Sequence, residues 1–311
     1  VRNIGHELIK KNHKKSIKEL NKLLKNKNKY LAARAVWLLV DLGNEGEDKV
    51  VTLLDSKDEE LRLVAYRALR DNNIDLLKIA KKMSKDISPA VRREVATSLR
   101  DVNPIKKLPI LISIAEQYNG NDKTYLEALG IGSFGVEEEL FMNLLEKIGD
   151  SNSLLWSDKF SDIAWRLHPP SSIDFHLQRV LSESLKFNER RQSLDAIAFT
   201  MDYKAAKVMI DLSIRENFLL SKEAHWWILN RAFSEWKEYD LLKELAEKEI
   251  YNPQKIELFE MISENSEDFL NEYPSINDLS KFEGDYDKGK IVAQKCIACH
   301  KIENNGSDLG P

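Results

Sequence analysis

Cys296 and Cys299 are the only cysteines in 311 residues, they are separated by Ile297 and Ala298, and His300 follows at once. A C-x-x-C-H run is the attachment pattern of a c-type haem, and each residue type in it has a chemical task. Two thiols add across the vinyl groups of the porphyrin and become thioethers. Two intervening residues let one turn of backbone present both sulfurs to one edge of the macrocycle. The imidazole next in line can then serve as the proximal iron ligand. On this reading Cys296, Cys299 and His300 bind haem c, with His300 as the metal ligand.

Two other uses of the pair carry less support. A redox dithiol of the thioredoxin kind sits beside a βαβ pattern, and none flanks these cysteines. A structural zinc site needs four ligands, and there is no second pair of cysteines. The remaining histidines, His6, His13, His168, His176 and His225, are scattered far upstream. No nucleophile elbow, H-E-x-x-H run or carboxylate pair suggests catalysis elsewhere, so the chain itself reads as non-catalytic.

What must position the motif is helical. Charged residues make up 32% and hydrophobic ones 42%, an ordinary globular balance, and 12 Gly and 8 Pro leave few tight turns. No apolar run reaches the roughly 18 residues of a membrane-spanning helix. Residues 1–30 hold ten Lys or Arg and two Glu, a net +8 against −4 for the whole chain. Such a basic start can meet an acidic membrane or nucleic acid. The blander reading is a first helix with Ile4, Leu8, Ile17, Leu20 and Leu24 inside and lysines outside. The aromatics needed to stack on bases are missing there, and the rest of the chain is acidic, so no nucleic-acid partner is expected.

Up to about residue 270, apolar residues recur at three- and four-residue steps, the helix period. Ala35, Leu38, Leu39 and Leu42 form one stripe; Leu61, Val64, Ala65, Ala68 and Leu69 a second; Val91, Val95, Ala96 and Leu99 a third. No sustained alternation of period two predicts a strand. The stripes also repeat. Each carries an arginine near its start, and Arg34, Arg62 and Arg92 lie 28 and 30 residues apart. Periods of this size signal stacked helix pairs, each burying a face its neighbour leaves open. Trp37, Trp165, Trp226, Trp227 and Trp236 are expected to fill gaps between pairs. Gly130-Ile131-Gly132-Ser133-Phe134-Gly135 matches G-x-G-x-x-G, but a helical pattern precedes it where a dinucleotide site needs a strand. Its glycines are expected at a helix C-cap and in a loop. His168-Pro169-Pro170 should stop a helix.

The arginine-bearing pairs resemble HEAT repeats, a family in which the recurrent arginine ties one repeat to the next. The end of the chain resembles a class I cytochrome c domain. Asp287 to Lys295 looks like the first helix that delivers the cysteines. Lys301 to Pro311 looks like the loop after the motif, with its Gly-x-x-x-Gly-Pro ending. In that family the proline carbonyl accepts a hydrogen bond from the proximal imidazole, which assigns this role to Pro311. The combination is similar to large C-x-x-C-H haem-binding proteins of planctomycete, verrucomicrobial and Bacteroidetes-type bacteria. The likeness is carried by Ala35-Val36-Trp37, Pro89 to Ala96, Gly120 to Gly132, Ala164 to Pro170 and the haem motif. Many of those proteins bear an upstream propeller resembling quinone-dependent sugar dehydrogenases, and no propeller pattern occurs here.

The expected fold is therefore all-α: a HEAT-like α-solenoid of about six to seven helix pairs, then the N-terminal part of a class I cytochrome c domain. The domains expected are residues 1–272, a linker at 273–284 around Pro274, and a truncated cytochrome start at 285–311. A full domain of that kind needs roughly 80 residues, so the sixth iron ligand is expected later. Val1 in place of Met suggests a processed or partial chain. Haem attachment at C-x-x-C-H occurs outside the cytoplasm, so a periplasmic or otherwise exported setting is implied, with the export signal upstream. The function implied is electron transfer to or from a redox partner protein or a fused dehydrogenase domain. The alternative is a protein-interaction scaffold that carries no haem.

Overall fold

The computed structural model describes residues 2–72, 74–255, 277, 280–281, 283–294, 296 and 300. Among them every regular element is helical and no strand occurs. The chain divides into two compact units, residues 1–253 and 254–311. The expected boundary at residues 272–273 and the expected linker at Pro274 lie outside the described residues.

The first unit contains sixteen α-helices among its described residues. They are α1 (Arg2–Lys11), α2 (His13–Leu23), α3 (Lys29–Val40), α4 (Asn44–Leu53), α5 (Glu59–Asp71), α6 (Leu76–Met83), α7 (Pro89–Ser98) and α8 (Pro104–Ala115). Then come α9 (Lys123–Gly132), α10 (Glu137–Ile148), α11 (Asp158–Leu167), α12 (Ile173–Leu181), α13 (Phe187–Phe199), α14 (Tyr203–Ser213), α15 (Ser221–Ala232) and α16 (Leu242–Glu247). Local chemistry sets many starts. The side chains of Asn28, Asp58, Asp122 and Ser157 accept backbone N–H groups of the first turns of α3, α5, α9 and α11. Pro89 and Pro104 open α7 and α8, where the missing N–H costs nothing. As expected, α11 stops at Leu167, before Pro169 and Pro170.

Helices pack against their chain neighbours and also against the next but one: α3 on α5, α5 on α7, α7 on α9, α9 on α11, α11 on α13 and α13 on α15. A second row runs along the other side, α6 on α8 and α8 on α10. The stripe residues read from the sequence form the seam: Ala35, Leu39, Leu42, Ala65, Ala68, Leu69, Val91, Val95, Ala96 and Leu99 are all buried. The apolar interior falls into two clusters, Ile17 to Leu167 and Ile173 to Ile250. The break between them coincides with the His168-Pro169-Pro170 stop.

Charged ties join successive pairs. Arg62 donates from Nε and Nη2 to the two oxygens of Asp86 at 2.7 Å each, and from Nη1 to the Ser56 carbonyl at 2.8 Å. Both side chains are nearly inaccessible, at 7% and 6% exposure. Arg92 donates to the Asp86 carbonyl at 2.5 Å and to the Tyr125 hydroxyl at 3.0 Å. Lys107 is fully buried, and its ammonium donates to the carbonyls of Arg100 and Phe134 at 2.7 and 2.6 Å.

Three expectations are corrected. Arg34 lies exposed and forms no tie, unlike Arg62 and Arg92. Ile4 and Leu8 are exposed rather than inside, because none of the described residues covers that face of α1, while Ile17 and Leu20 are buried. Trp236 is buried and its indole donates to the Thr200 carbonyl, but Trp37 and Trp226 are exposed.

In the second unit the described helix is Tyr286–Ala293, inside the helix expected from Asp287 to Lys295. Asp285 caps it by accepting the Lys288 N–H at 3.1 Å. That backbone hydrogen bond, aided by the Lys288 side chain, holds the Asp285 carboxyl below the usual range.

Candidate functional site

The helix Tyr286–Ala293 runs directly toward the motif. The Cys296 N–H donates to the Ala293 carbonyl at 2.8 Å, and the His300 N–H donates to the Cys296 carbonyl at 2.8 Å. The second bond spans four residues, the spacing of one α-helical turn. Cys296 and His300 are both exposed. Cys299 and Pro311 lie outside the described residues.

The segment leading into this turn is unusual in what it leaves open. The helix buries none of its residues, and Ile291 and Val292, one turn before Cys296, are 66% and 68% exposed. A haem is a flat apolar disc with polar propionates, and open aliphatic side chains beside an accessible thiol and imidazole suit it. Among the described residues no group of three or more His, Cys, Asp or Glu side chains could hold a metal ion. Haem iron makes no such demand, because the macrocycle supplies four donors and the protein only axial ones.

In the first unit, α9, α11 and α13 border a polar groove of about 770 Å³. The Tyr118 hydroxyl donates to Asp162 Oδ2 at 3.1 Å and the Gln192 amide to Oδ1 at 2.8 Å, which fixes that carboxylate. Burial and the adjacent Asp162 push the Tyr118 hydroxyl well above its ordinary pKa. Asp195 accepts the Trp227 indole N–H at 2.9 Å, and burial raises its carboxyl pKa. Trp165 and Leu126 supply apolar wall, and Asn121, Lys123 and Arg191 reach the same space. The segments Gly120 to Gly132 and Ala164 to Pro170, singled out in the sequence, thus meet. Sequence reading did not find the groove itself, since its lining is spread over nearly eighty residues.

The glycine run is a packing device. Gly130 and Gly132 lie inside the last turns of α9 rather than in a loop, which corrects the expected C-cap. A Cβ at Gly130 would overlap the guanidinium of Arg166, which donates to Glu127 at 2.8 Å, and one at Gly132 would overlap the Ala96 carbonyl oxygen. Only Gly135, at φ +76°, sits in the loop and needs a left-handed backbone.

His176 has no place in a metal or acid–base site. It is fully buried edge-on against Trp156, and burial pushes its pKa down to about 3, so the ring is neutral. His168, the left-handed cap of α11, is also lowered by burial, and its Nδ1 lies 2.9 Å from the Trp165 carbonyl. No helix among the described residues is long and apolar enough to cross a membrane. No protein-family model matches the chain, and no curated protein matches it.

Proposed function

We propose that this chain is a covalent haem c protein that transfers electrons, with a HEAT-like α-solenoid as its scaffold and the start of a class I cytochrome c domain at its end. What supports the reading is the Cys296-Ile297-Ala298-Cys299-His300 run itself, following a short helix whose Ile291 and Val292 lie open, with the His300 N–H bonded to the Cys296 carbonyl. Bound there, the haem would supply one-electron chemistry at iron. Cys296 and Cys299 tether it through thioethers. His300 supplies the proximal imidazole, and Pro311 takes its N–H, which fixes the ring and strengthens it as a donor. Ile291 and Val292 cover part of the apolar face and keep water from it. The helical array holds a redox partner or a fused dehydrogenase domain, and the protein works in the periplasm or another exported setting where the thiols are matured.

The test is expression of the chain, with its flanking sequence, in a periplasm equipped for haem attachment. A haem that survives denaturing electrophoresis and a sharp reduced α-band are expected, and Cys296→Ala with Cys299→Ala abolishes both. A colourless wild-type product with alkylatable thiols overturns the reading.

The polar groove between α9, α11 and α13 favours a second reading, a protein-interaction scaffold without haem. Its mixed lining of amides, carboxylates and cations is suited to a protein surface rather than to a redox group. Full partner binding by the colourless Cys296→Ala, Cys299→Ala protein would favour it.

A further inference from the structure

A second cavity, of about 610 Å³, lies on the other row of helices, between α6, α8 and α10. Its chemistry differs from that of the polar groove. Leu77, Pro109, Ile110 and Ile112 give an aliphatic floor, and Ile105, 84% exposed, stands at its edge. Pro109 lies inside α8 and has no N–H, so the Ile105 carbonyl one turn earlier loses its helical donor on this side. Gln117 braces the walls by donating to the carbonyls of Ser84 and Ser113 at 2.8 and 2.6 Å.

The rim is cationic. Lys81, Lys85 and Lys106 line the cavity, and among the described residues none of the three ammonium groups has an acidic partner. Lys147 approaches the single lining carboxylate, Glu116, only at 3.7 Å. Lys82, next to Lys81 on the same helix, is instead paired with Asp55 at 2.7 Å and stays out of the cavity. A groove that keeps three cations unneutralised above an apolar floor is built for a ligand with both characters. A purely apolar ligand would ignore the rim. A nucleotide would ignore the floor, and no aromatic ring lines the cavity to stack on a base. The volume is in the range of small-molecule sites.

We propose that this cavity binds a single-chain anionic amphiphile, a long-chain fatty carboxylate. Its tail lies along Leu77, Pro109 and Ile110, and its carboxylate is held by Lys85 and Lys106. The site is independent of the haem motif, so the proposal stands whether or not haem is attached.

The test is titration of the purified chain with oleate below its micellar concentration, read by displacement of a fluorescent fatty acid. Saturable one-to-one binding is expected. Lys85→Glu with Lys106→Glu, both exposed and unpaired in the fold, should weaken it by about tenfold or more, the scale of losing a charge partner. Lys78→Glu, outside the cavity, should leave it unchanged. Methyl oleate, of equal length but uncharged, should compete poorly. Any of three results overturns the proposal: no saturable binding, equal binding of oleate and its methyl ester, or equal binding by the charge-reversed protein. Binding to anionic phosphatidylserine vesicles but not to monomeric oleate also overturns it, because a charged surface would then explain the lysines.

Discussion

His176 and His300 mark the contrast between the two units. His176 lies in the helical array, fully buried and neutral, packed on Trp156. His300 is exposed, as is Cys296. The same split holds for their surroundings. In the array, apolar stripes are covered on both sides and buried arginines meet carboxylates or carbonyls. In the helix Tyr286–Ala293 nothing is buried. The array therefore holds itself together, and its polar groups serve folding. The helix of the motif segment buries none of its side chains, and its printed side-chain contacts are local ones, the Asp285 cap, the Asp285–Lys288 pair and Lys290 over Tyr286. A lesion in one unit should then leave the other's property untouched.

Arg62→Ala is the strongest such lesion. It strands the Asp86 carboxylate, 6% exposed, with no guanidinium, and breaking one side of a buried ion pair costs about 3–5 kcal/mol. Denaturant unfolding of the array should show a loss of that size. Replacing the pair together, Arg62→Met with Asp86→Leu, should recover most of it, since the pair's desolvation is then avoided. Cys296→Ser should leave the same unfolding curve unmoved. A large effect of Cys296→Ser on the array would break the contrast.

Acid should test the buried histidine of the array next. In the folded array His176 has its pKa lowered to about 3, against 6.5 for an open chain. Between these values the unfolded state binds more protons, so stability rises with pH and is lost as pH falls from about 6.5 toward 3. One group contributes a slope of at most about 1.4 kcal/mol per pH unit. Urea midpoints measured between pH 7 and 4.5 should fall accordingly, and His176→Leu should flatten that slope even if it shifts the curve. An unchanged slope would mean that the ring is protonated inside the fold.

Much of the array could be read in advance because helical periodicity is a local property. Val91, Val95, Ala96 and Leu99 have to lie on one stripe, and Arg62 and Arg92 recur at the spacing of the pairs. What could not be read depends on neighbours distant in sequence. Ile4 and Leu8 have the pattern of buried residues, but no helix among the described residues covers them. Lys107 carries a charge yet is buried, because two carbonyls from different loops converge on it. The polar groove joins residues 118 to 195, and no single stretch announces it. The C-x-x-C-H run was legible from spacing alone, because two thiols and an imidazole in five residues point to one chemistry without help from the fold. The open aliphatic flank of Ile291 and Val292 was not legible, since apolar residues at helix spacing usually mean burial.

The smallest expected effect tests how closely the array is packed, through two glycines of one helix. Alanine is the better helix former by about 1 kcal/mol, so both substitutions begin with a gain. At Gly130 the new methyl meets the far end of the Arg166 side chain, which can swing away at the cost of its exposed bond to Glu127. Such surface pairs contribute about 0–1 kcal/mol, so Gly130→Ala should come out within about 1 kcal/mol of wild type. At Gly132 the methyl meets the backbone carbonyl of Ala96 in α7, which cannot move without parting two helices. Overpacking of this kind costs about 1–3 kcal/mol and should outweigh the propensity gain. Unfolding free energies of the two variants should therefore differ in that order. If they are equal, α7 and α9 yield to each other more easily than their contact implies, and the array is less self-sufficient than its buried seam suggests.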